Sequence, residues 1–301
     1  MANSVLSADR FHNEDAAFEY VEAQLWPHGP TCLHCGNADT AKIGRLTGKT
    51  TRPGLRKCYA CRKPFTVRMG SIFEDSKLPL HLWLQAIHLL CASKKGISTR
   101  QLQRMLGCGM KTAWFLGHRI RHAMAPGADA GPLGGAGVTV EADETEITRS
   151  RKSKKIKGHQ RRDNMKVLSL VERGGNIRSV SIDHRMVGPL LRQRVHPDTR
   201  IVTDKAQHYT FSGMAGHEAV DHSKFEWVRD DVHTNTLEGF FSVLKRGLVG
   251  VYQHVDKKHL DRYLAEFDFR QNTRAKLGID DAQRAATAVQ RRLSQRLKPQ
   301  I

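Results

Sequence analysis

The chain has 301 residues, enough for a sizeable hydrophobic core, and this length predicts two or three domains. It carries 49 Lys and Arg residues against 30 Asp and Glu, and the formal net charge of +19 favours a polyanionic partner such as nucleic acid. The sequence has no apolar run of 18 residues and does not begin with a secretory signal, so we expect a cytoplasmic, nucleoid-associated protein without disulfides.

A short amphipathic helix is predicted over residues 14–25, and two Cys-x-x-Cys pairs follow it. The paired residues are Cys32, Cys35, Cys58 and Cys61. Four thiolates in two such pairs, here separated by 22 residues, are typical of one structural Zn(II) ion in a zinc ribbon. A redox dithiol is the weaker alternative, because redox chemistry needs one pair only. His34 is expected to be exposed, and Cys91 and Cys108 to be small buried or half-buried thiols.

Residues 80–124 are predicted to be helical. One helix ends near Gly96, and a second starts at a capping box formed by Ser98 and Gln101 and ends at Leu106–Gly107. A third helix begins near Lys111, so that two short helices flank a glycine-containing turn, as in a helix-turn-helix motif. The side chains suited to DNA contacts on this last helix are Lys111, Thr112, His118, Arg119, Arg121 and His122. The alternative is an ordinary helical hairpin with a solvated basic face.

A linker rich in glycine and proline is predicted over residues 125–137, and the pattern after it is that of a mixed α/β domain. The predicted strands are residues 138–147, 164–173, 176–183 and 200–204, and the predicted helices lie around 186–194, from about 233 to 247, at 257–274 and at 280–297.

A basic run, residues 149–162, lies between the first two of these strands. Eight of its fourteen residues are Arg or Lys, so it suits clamping of a phosphate backbone. The residues proposed for that contact are Lys152, Lys154, Lys155, Arg161 and Arg162.

Three acidic residues stand at strand ends or helix starts in this second half of the chain: Asp143, Asp204 and Glu238. A strand end and a nearby helix can bring such groups together, and clustered carboxylates repel each other unless cations neutralise them. Hard oxygen ligands suit Mg(II), and two such ions support phosphodiester chemistry. Glu141, Glu144 and Glu146 compete with Asp143 on the same strand, and Glu141 shares its face.

Several stretches also carry a family resemblance: "WPHGPTCLHCG", "GSIFEDSKLPLHLWLQAI", "VEADET", "TDKAQHY" and "VHTNTLEGFFSVLKRGLVGVYQHVDKKHLDRYLAEFDFRQN". With these motifs in this order, the chain resembles the ISXO2-like transposases of the IS1595 insertion-sequence family. The resemblance implies an RNase H-like catalytic domain with a DDE-type metal site, preceded by a zinc ribbon. Together with the residue patterns, we expect an N-terminal helix and zinc ribbon (1–72), a helix-turn-helix segment (73–124), the linker, and the catalytic domain with C-terminal helices (138–301).

Carried over by position, the resemblance makes Asp143, Asp204 and Glu238 the acids that bind two Mg(II) or Mn(II) ions, and Lys245 a phosphate contact. Asn235 and His233 are further candidates for the same site. The implied function is a DNA transposase that binds terminal inverted repeats, acts as a homo-oligomer on DNA, and cleaves and transfers strands. A catalytically inactive DNA-binding regulator and a nuclease without strand transfer are the alternatives.

Overall fold

The computed structural model describes residues 4–127, 130–147, 155–156, 159–160, 164–182, 186–205, 216–221, 224, 226 and 228–291. Two compact units make up the chain: one comprises Met1–Gly127 with Ala275–Ile301, and the other comprises Ala128–Arg274. Of the helices in the described ranges, none is long and apolar enough to cross a membrane.

The described α-helices, in chain order, are α1 Glu14–Leu25, α2 Leu80–Ala92, α3 Thr99–Leu106, α4 Met110–Met124, α5 Val187–Arg194, α6 Asn235–Gly247, α7 Leu260–Asn272 and α8 Asp281–Gln290. The strands are β1 Ile43–Arg45, β2 Arg56–Cys58, β3 Pro64–Phe65, β4 Thr139–Ile147, β5 Lys155–Ile156, β6 His159–Gln160, β7 Met165–Glu172, β8 Ile177–Ile182, β9 Arg200–Asp204 and β10 Gly216–Val220.

The first unit begins with α1, whose bounds agree with the predicted helix over residues 14–25. Asn13 caps it, because its side-chain oxygen accepts from the backbone N–H groups of Asp15 and Ala16. Strands β1, β2 and β3 form a small antiparallel sheet after it. Glu22 of α1 joins the helix to this sheet through a bidentate pair with Arg56, at 2.6 and 3.1 Å.

Helices α2, α3 and α4 complete the first unit together with α8. Ser98 caps α3 through the N–H of Gln101, and Gly107 ends α3 in the left-handed conformation that favours glycine. The chain reaches α4 after three residues.

The C-terminal helix α8 packs against α1, α2 and α4, so the structure differs here from the single domain predicted over residues 138–301. Its Ala288 and Val289 are buried, and the guanidinium of Arg284 donates to the carbonyl oxygen of Cys91 at 3.0 Å.

The second unit is built on a five-stranded sheet in the order β10-β9-β4-β7-β8. Strands β4, β7 and β8 are antiparallel neighbours, whereas β9 runs parallel to β4 and β10 parallel to β9. Helices α6 and α7 cover one face of the sheet with a core that includes Val167, Leu237 and Phe267, and α5 contributes to the core of the other face.

Side chains of α7 satisfy the outer edge of β8. Asp261, Asp268 and Asn272 accept hydrogen bonds from the backbone N–H groups of Ser181, Ser179 and Ile177, at 2.8, 2.6 and 2.7 Å. This edge therefore presents few free donors to another strand.

Candidate active site and zinc centre

The four paired cysteines converge in the first unit. The sulfur of Cys32 lies 3.7 Å from that of Cys61, the sulfur of Cys35 lies 3.8 Å from that of Cys58, and all four sulfurs lie within 4.8 Å of one another. A Zn–S distance of about 2.3 Å implies a sulfur tetrahedron with edges of about 3.8 Å. The cluster therefore fits one structural Zn(II) ion, with no position open for water.

Backbone N–H groups of the second Cys-x-x-Cys pair stabilise the thiolate form of Cys58. The N–H groups of Cys61 and Ala60 donate to Cys58 and lower the pKa of its thiol to about 7, against the effect of burial. Since a thiolate is the form that binds zinc, this bonding favours the metal. His34 is exposed, and its Nε2 lies 3.1 Å from the carbonyl oxygen of Pro64. Cys91 is buried and Cys108 half-buried.

Asp143 and Asp204 lie on neighbouring strands of the large sheet. Strands β4 and β9 pair in parallel, with Glu141 opposite Val202. Each aspartate stands two residues beyond that pair, and side chains two residues apart share a face of a strand. Both carboxylates therefore extend from the same face of the sheet where β9 ends, and both are half-buried.

Glu238 stands on α6, which packs on the same face of the sheet. The buried side of the helix includes Leu237 and Phe241, and this packing leaves Glu238 exposed in the first turn. Burial, together with the negative charges of Asp204, Glu238 and Glu144, raises the pKa of Asp143 to about 7, although the N–H of Glu144 opposes the shift at 2.7 Å. The three acids thus interact electrostatically in the folded chain.

The donor set suits a hard divalent cation. All the donors are carboxylate oxygens, and Oδ1 of Asp204 is buried with no hydrogen-bond partner among the described residues. Within the described part of the chain, however, only the four cysteines bring three or more ligand atoms within 4.8 Å of one another. The three carboxylates are therefore more widely spaced than the cysteine sulfurs.

Three other predicted residues occupy the same helix or the loop before it. Lys245 is exposed on α6, seven residues after Glu238. Asn235 is exposed at the first position of the helix. His233 is directed elsewhere, because its Nδ1 lies 3.7 Å from a carboxylate oxygen of Glu141.

Glu141 competed with Asp143 in the sequence pattern, and the structure gives it a separate environment. Its side chain is completely buried, and it accepts from Nε of Arg173 at 3.0 Å and from the hydroxyl of Thr236 at 2.9 Å. The period of two along β4 puts Glu141 and Asp143 on one face, but it contains no information about these distant partners.

Helix α4 exposes part of its predicted DNA-contact set. Lys111 and Thr112 are exposed at its N-terminal end. Arg121 and His118 are buried, at 2% and 3% exposure, so the structure does not support their prediction as DNA contacts. Arg119 is half-buried and donates to the carbonyl oxygen of Glu74 at 2.7 Å, which removes it from a free basic face. These side chains lie on the inner side of α4, and a count of basic residues cannot tell buried basic side chains from exposed ones.

The basic run between β4 and β7 is only partly described. Strands β5 and β6 pair there in a short antiparallel ribbon. The side chains of Lys152, Lys154, Lys155, Arg161 and Arg162 lie outside the described residues, so their contact with DNA stays a prediction.

Comparisons with known proteins match two domains of the chain. Residues 132–272 match the model of the ISXO2-like transposase domain, and residues 12–64 match that of the transposase zinc-ribbon domain. The chain is also 28% identical, over 283 residues, to an uncharacterized protein in transposable element ISH50 of Halobacterium salinarum; the match covers 89% of this chain and 94% of that protein. The carboxylates and the paired cysteines all fall inside the matched domains.

Proposed function

Because the chain belongs to the ISXO2-like transposases of the IS1595 family, we propose that it is a DNA transposase that binds terminal inverted repeats and catalyses strand cleavage and strand transfer. The observation that supports the proposal is that Asp143, Asp204 and Glu238 lie on one face of the large sheet, where burial and the negative charges of Asp204 and Glu238 raise the pKa of Asp143. Such a cluster is unfavourable by itself and favourable around cations.

The catalytic domain is proposed to be RNase H-like. The supporting feature is the strand order β8-β7-β4-β9-β10, with three antiparallel strands followed by two parallel ones. In this arrangement the first acid lies on the central strand β4 and the second at the end of the adjacent parallel strand β9. The third acid is supplied by α6, which packs on the same face.

Asp143, Asp204 and Glu238 would hold two Mg(II) or Mn(II) ions. Divalent cations bound there supply charge neutralisation and activation of oxygen nucleophiles in phosphodiester chemistry. The exposed ammonium group of Lys245 is suited to orient a phosphate of the cleaved strand from the same helix. Asn235, at the first position of α6, has a neutral amide and would make a supporting contact near the metal site without adding charge to it.

DNA recognition is assigned to the first unit, with α3 and α4 acting as a helix-turn-helix. The short turn at Gly107 supports this, and so do the exposed side chains at the start of α4, where such motifs contact base edges. Lys111 and Thr112 are the best placed of the predicted contacts. Because transposition joins two element ends, we expect the protein to act as a homo-oligomer on double-stranded DNA.

A strand-transfer assay with purified protein, Mn(II) and DNA carrying the element ends tests the function. The wild-type protein should give joined products, and Asp204→Ala should give none. Unchanged activity in Asp204→Ala would overturn the metal assignment. Cleaved but never joined products would identify a nuclease, and specific binding without cleavage would identify a DNA-binding regulator.

A further inference from the structure

A fully buried carboxylate lies beside the proposed metal site and is not part of it. Glu141 of β4 is 0% exposed and accepts three hydrogen bonds from Arg173 and Thr236. Burial of an ionised carboxylate is unfavourable unless it is paired and hydrogen-bonded, and the guanidinium of Arg173 supplies the opposite charge. Glu141 therefore adds little net charge to the neighbouring acids.

The bonds of Glu141 attach one end of α6 to the sheet. Its carboxylate accepts from the backbone N–H of Thr236 at 3.1 Å and from the hydroxyl of the same residue at 2.9 Å. Thr236 stands in the first turn of α6, whose N–H groups have no partner within the helix. The residue before the helix, Thr234, makes no side-chain cap bond, so Glu141 caps the helix from another element.

Arg173 extends the same attachment to the loop that precedes α6. Its guanidinium donates to Glu141 at 3.0 Å and to the carbonyl oxygen of His233 at 3.1 Å. Its backbone N–H also continues the sheet by donating to Thr139 at 3.0 Å. The loop before α6 is therefore held by Arg173 at His233, and the first turn of α6 is held by Glu141 at Thr236.

The spacing connects this attachment to the acids. Asp143 follows Glu141 by two residues on β4, and Glu238 follows Thr236 by two residues on α6. Two residues are only about 3 Å apart along a helix axis, so a displacement of the helix end at Thr236 also displaces Glu238. The negatively charged carboxylates of Glu238 and Asp143 repel each other. Attachment of the helix end to the sheet keeps Glu238 in place despite this repulsion.

We propose that Glu141 is a positioning residue: through Thr236 it fastens the first turn of α6 to β4 and so holds Glu238 close enough to Asp143 and Asp204 for a shared cation. The inference rests on the proposed function, because it concerns the same metal site. It assigns Glu141 no contact with the cation or the DNA.

The test compares Thr236→Val with Thr236→Ser in the full-length, zinc-loaded protein. Valine has nearly the shape of threonine and lacks the hydroxyl, the donor of the shorter of the two bonds to Glu141, whereas serine retains it; the backbone N–H bond is present in both variants. Isothermal titration with Mn(II) should show about tenfold weaker binding for Thr236→Val and wild-type affinity for Thr236→Ser. A purely structural role would lower the melting temperature without changing the Mn(II) affinity of the folded protein. Glu141→Gln should weaken binding further, and the threonine pair remains informative if that variant does not fold.

Two outcomes contradict the inference in distinguishable ways. Equal Mn(II) affinity in wild type and Thr236→Val overturns the positioning role and leaves the metal site intact. No Mn(II) binding by the wild-type protein overturns the proposed metal site, and the positioning role with it.

Discussion

Replacing Asp143 by asparagine should stabilise the protein at alkaline pH when no Mg(II) or Mn(II) is present. Asparagine keeps the size of the side chain and removes the negative charge. In the wild-type protein, burial of the Asp143 carboxylate and, to a smaller extent, the negative charges of Asp204 and Glu238 raise its pKa to about 7. The cost of ionising Asp143 in the folded state is what the substitution removes.

The pKa of Asp143 sets the sign and the upper limit of the effect. Its value is 3.8 in the unfolded chain and about 7 in the folded one, so the folded state binds the proton more tightly. The free energy of unfolding therefore falls as the pH rises from about 4 to about 7 and remains low above that range. The difference between the two pKa values corresponds to at most about 4 kcal/mol. Because Asp143 keeps some contact with solvent, we expect a smaller effect: the free energy of unfolding of Asp143→Asn, relative to wild type, should be about 1–3 kcal/mol higher at pH 8 than at pH 5.

Urea unfolding of zinc-loaded wild type and Asp143→Asn at pH 5 and pH 8 measures this gain. Asp230→Asn is the matched control, because Asp230 is exposed and belongs to the same unit. Mn(II) should reverse the order at pH 8 by stabilising the wild type alone. A gain for Asp143→Asn that does not change between the two pH values, or an equal gain for the control, would refute the electrostatic reasoning.

Three further predictions concern other parts of the chain. Cys58→Ser should lower the zinc content, measured by mass spectrometry, from one ion per chain to nearly none, because three thiolates bind the metal poorly. Asp268→Ala should lower the free energy of unfolding by about 1–3 kcal/mol in urea titrations, since it leaves the N–H of Ser179 without its acceptor and removes one partner of the Ser179 hydroxyl. Lys111→Ala should weaken binding to end-bearing DNA and reduce the slope of log affinity against log salt by about one, measured by fluorescence anisotropy; an unchanged slope would exclude a phosphate contact.

Strong local patterns predicted much of the fold. The apolar repeat at intervals of three and four residues located α1 and α6, and alternation located β4, β7 and β8 close to their observed bounds. The strand β10 was not predicted, because its sequence, "GHEAV", is short and mixes polar with apolar residues. The spacing of the cysteines predicted the zinc cluster, because that site is formed by two local turns.

Features that depend on distant contacts could not be predicted in the same way. The pattern of β4 places Glu141 and Asp143 on one face, and only the contact with Thr236, 95 residues further on, distinguishes their roles. Arg121 is basic and lies near DNA-contact candidates in sequence, yet it is buried. Helix α8 follows the second unit along the chain but packs with the first, where its apolar face is buried.

The most direct test of the proposed active site is an anomalous difference map from crystals soaked in Mn(II). We expect density between the carboxylates of Asp143, Asp204 and Glu238 in the wild-type protein, and its loss in Asp204→Ala. Zinc density should persist at the four cysteines in both. Manganese density confined to other places, or unchanged in the variant, would contradict the assignment of these three acids as the metal site of a transposase.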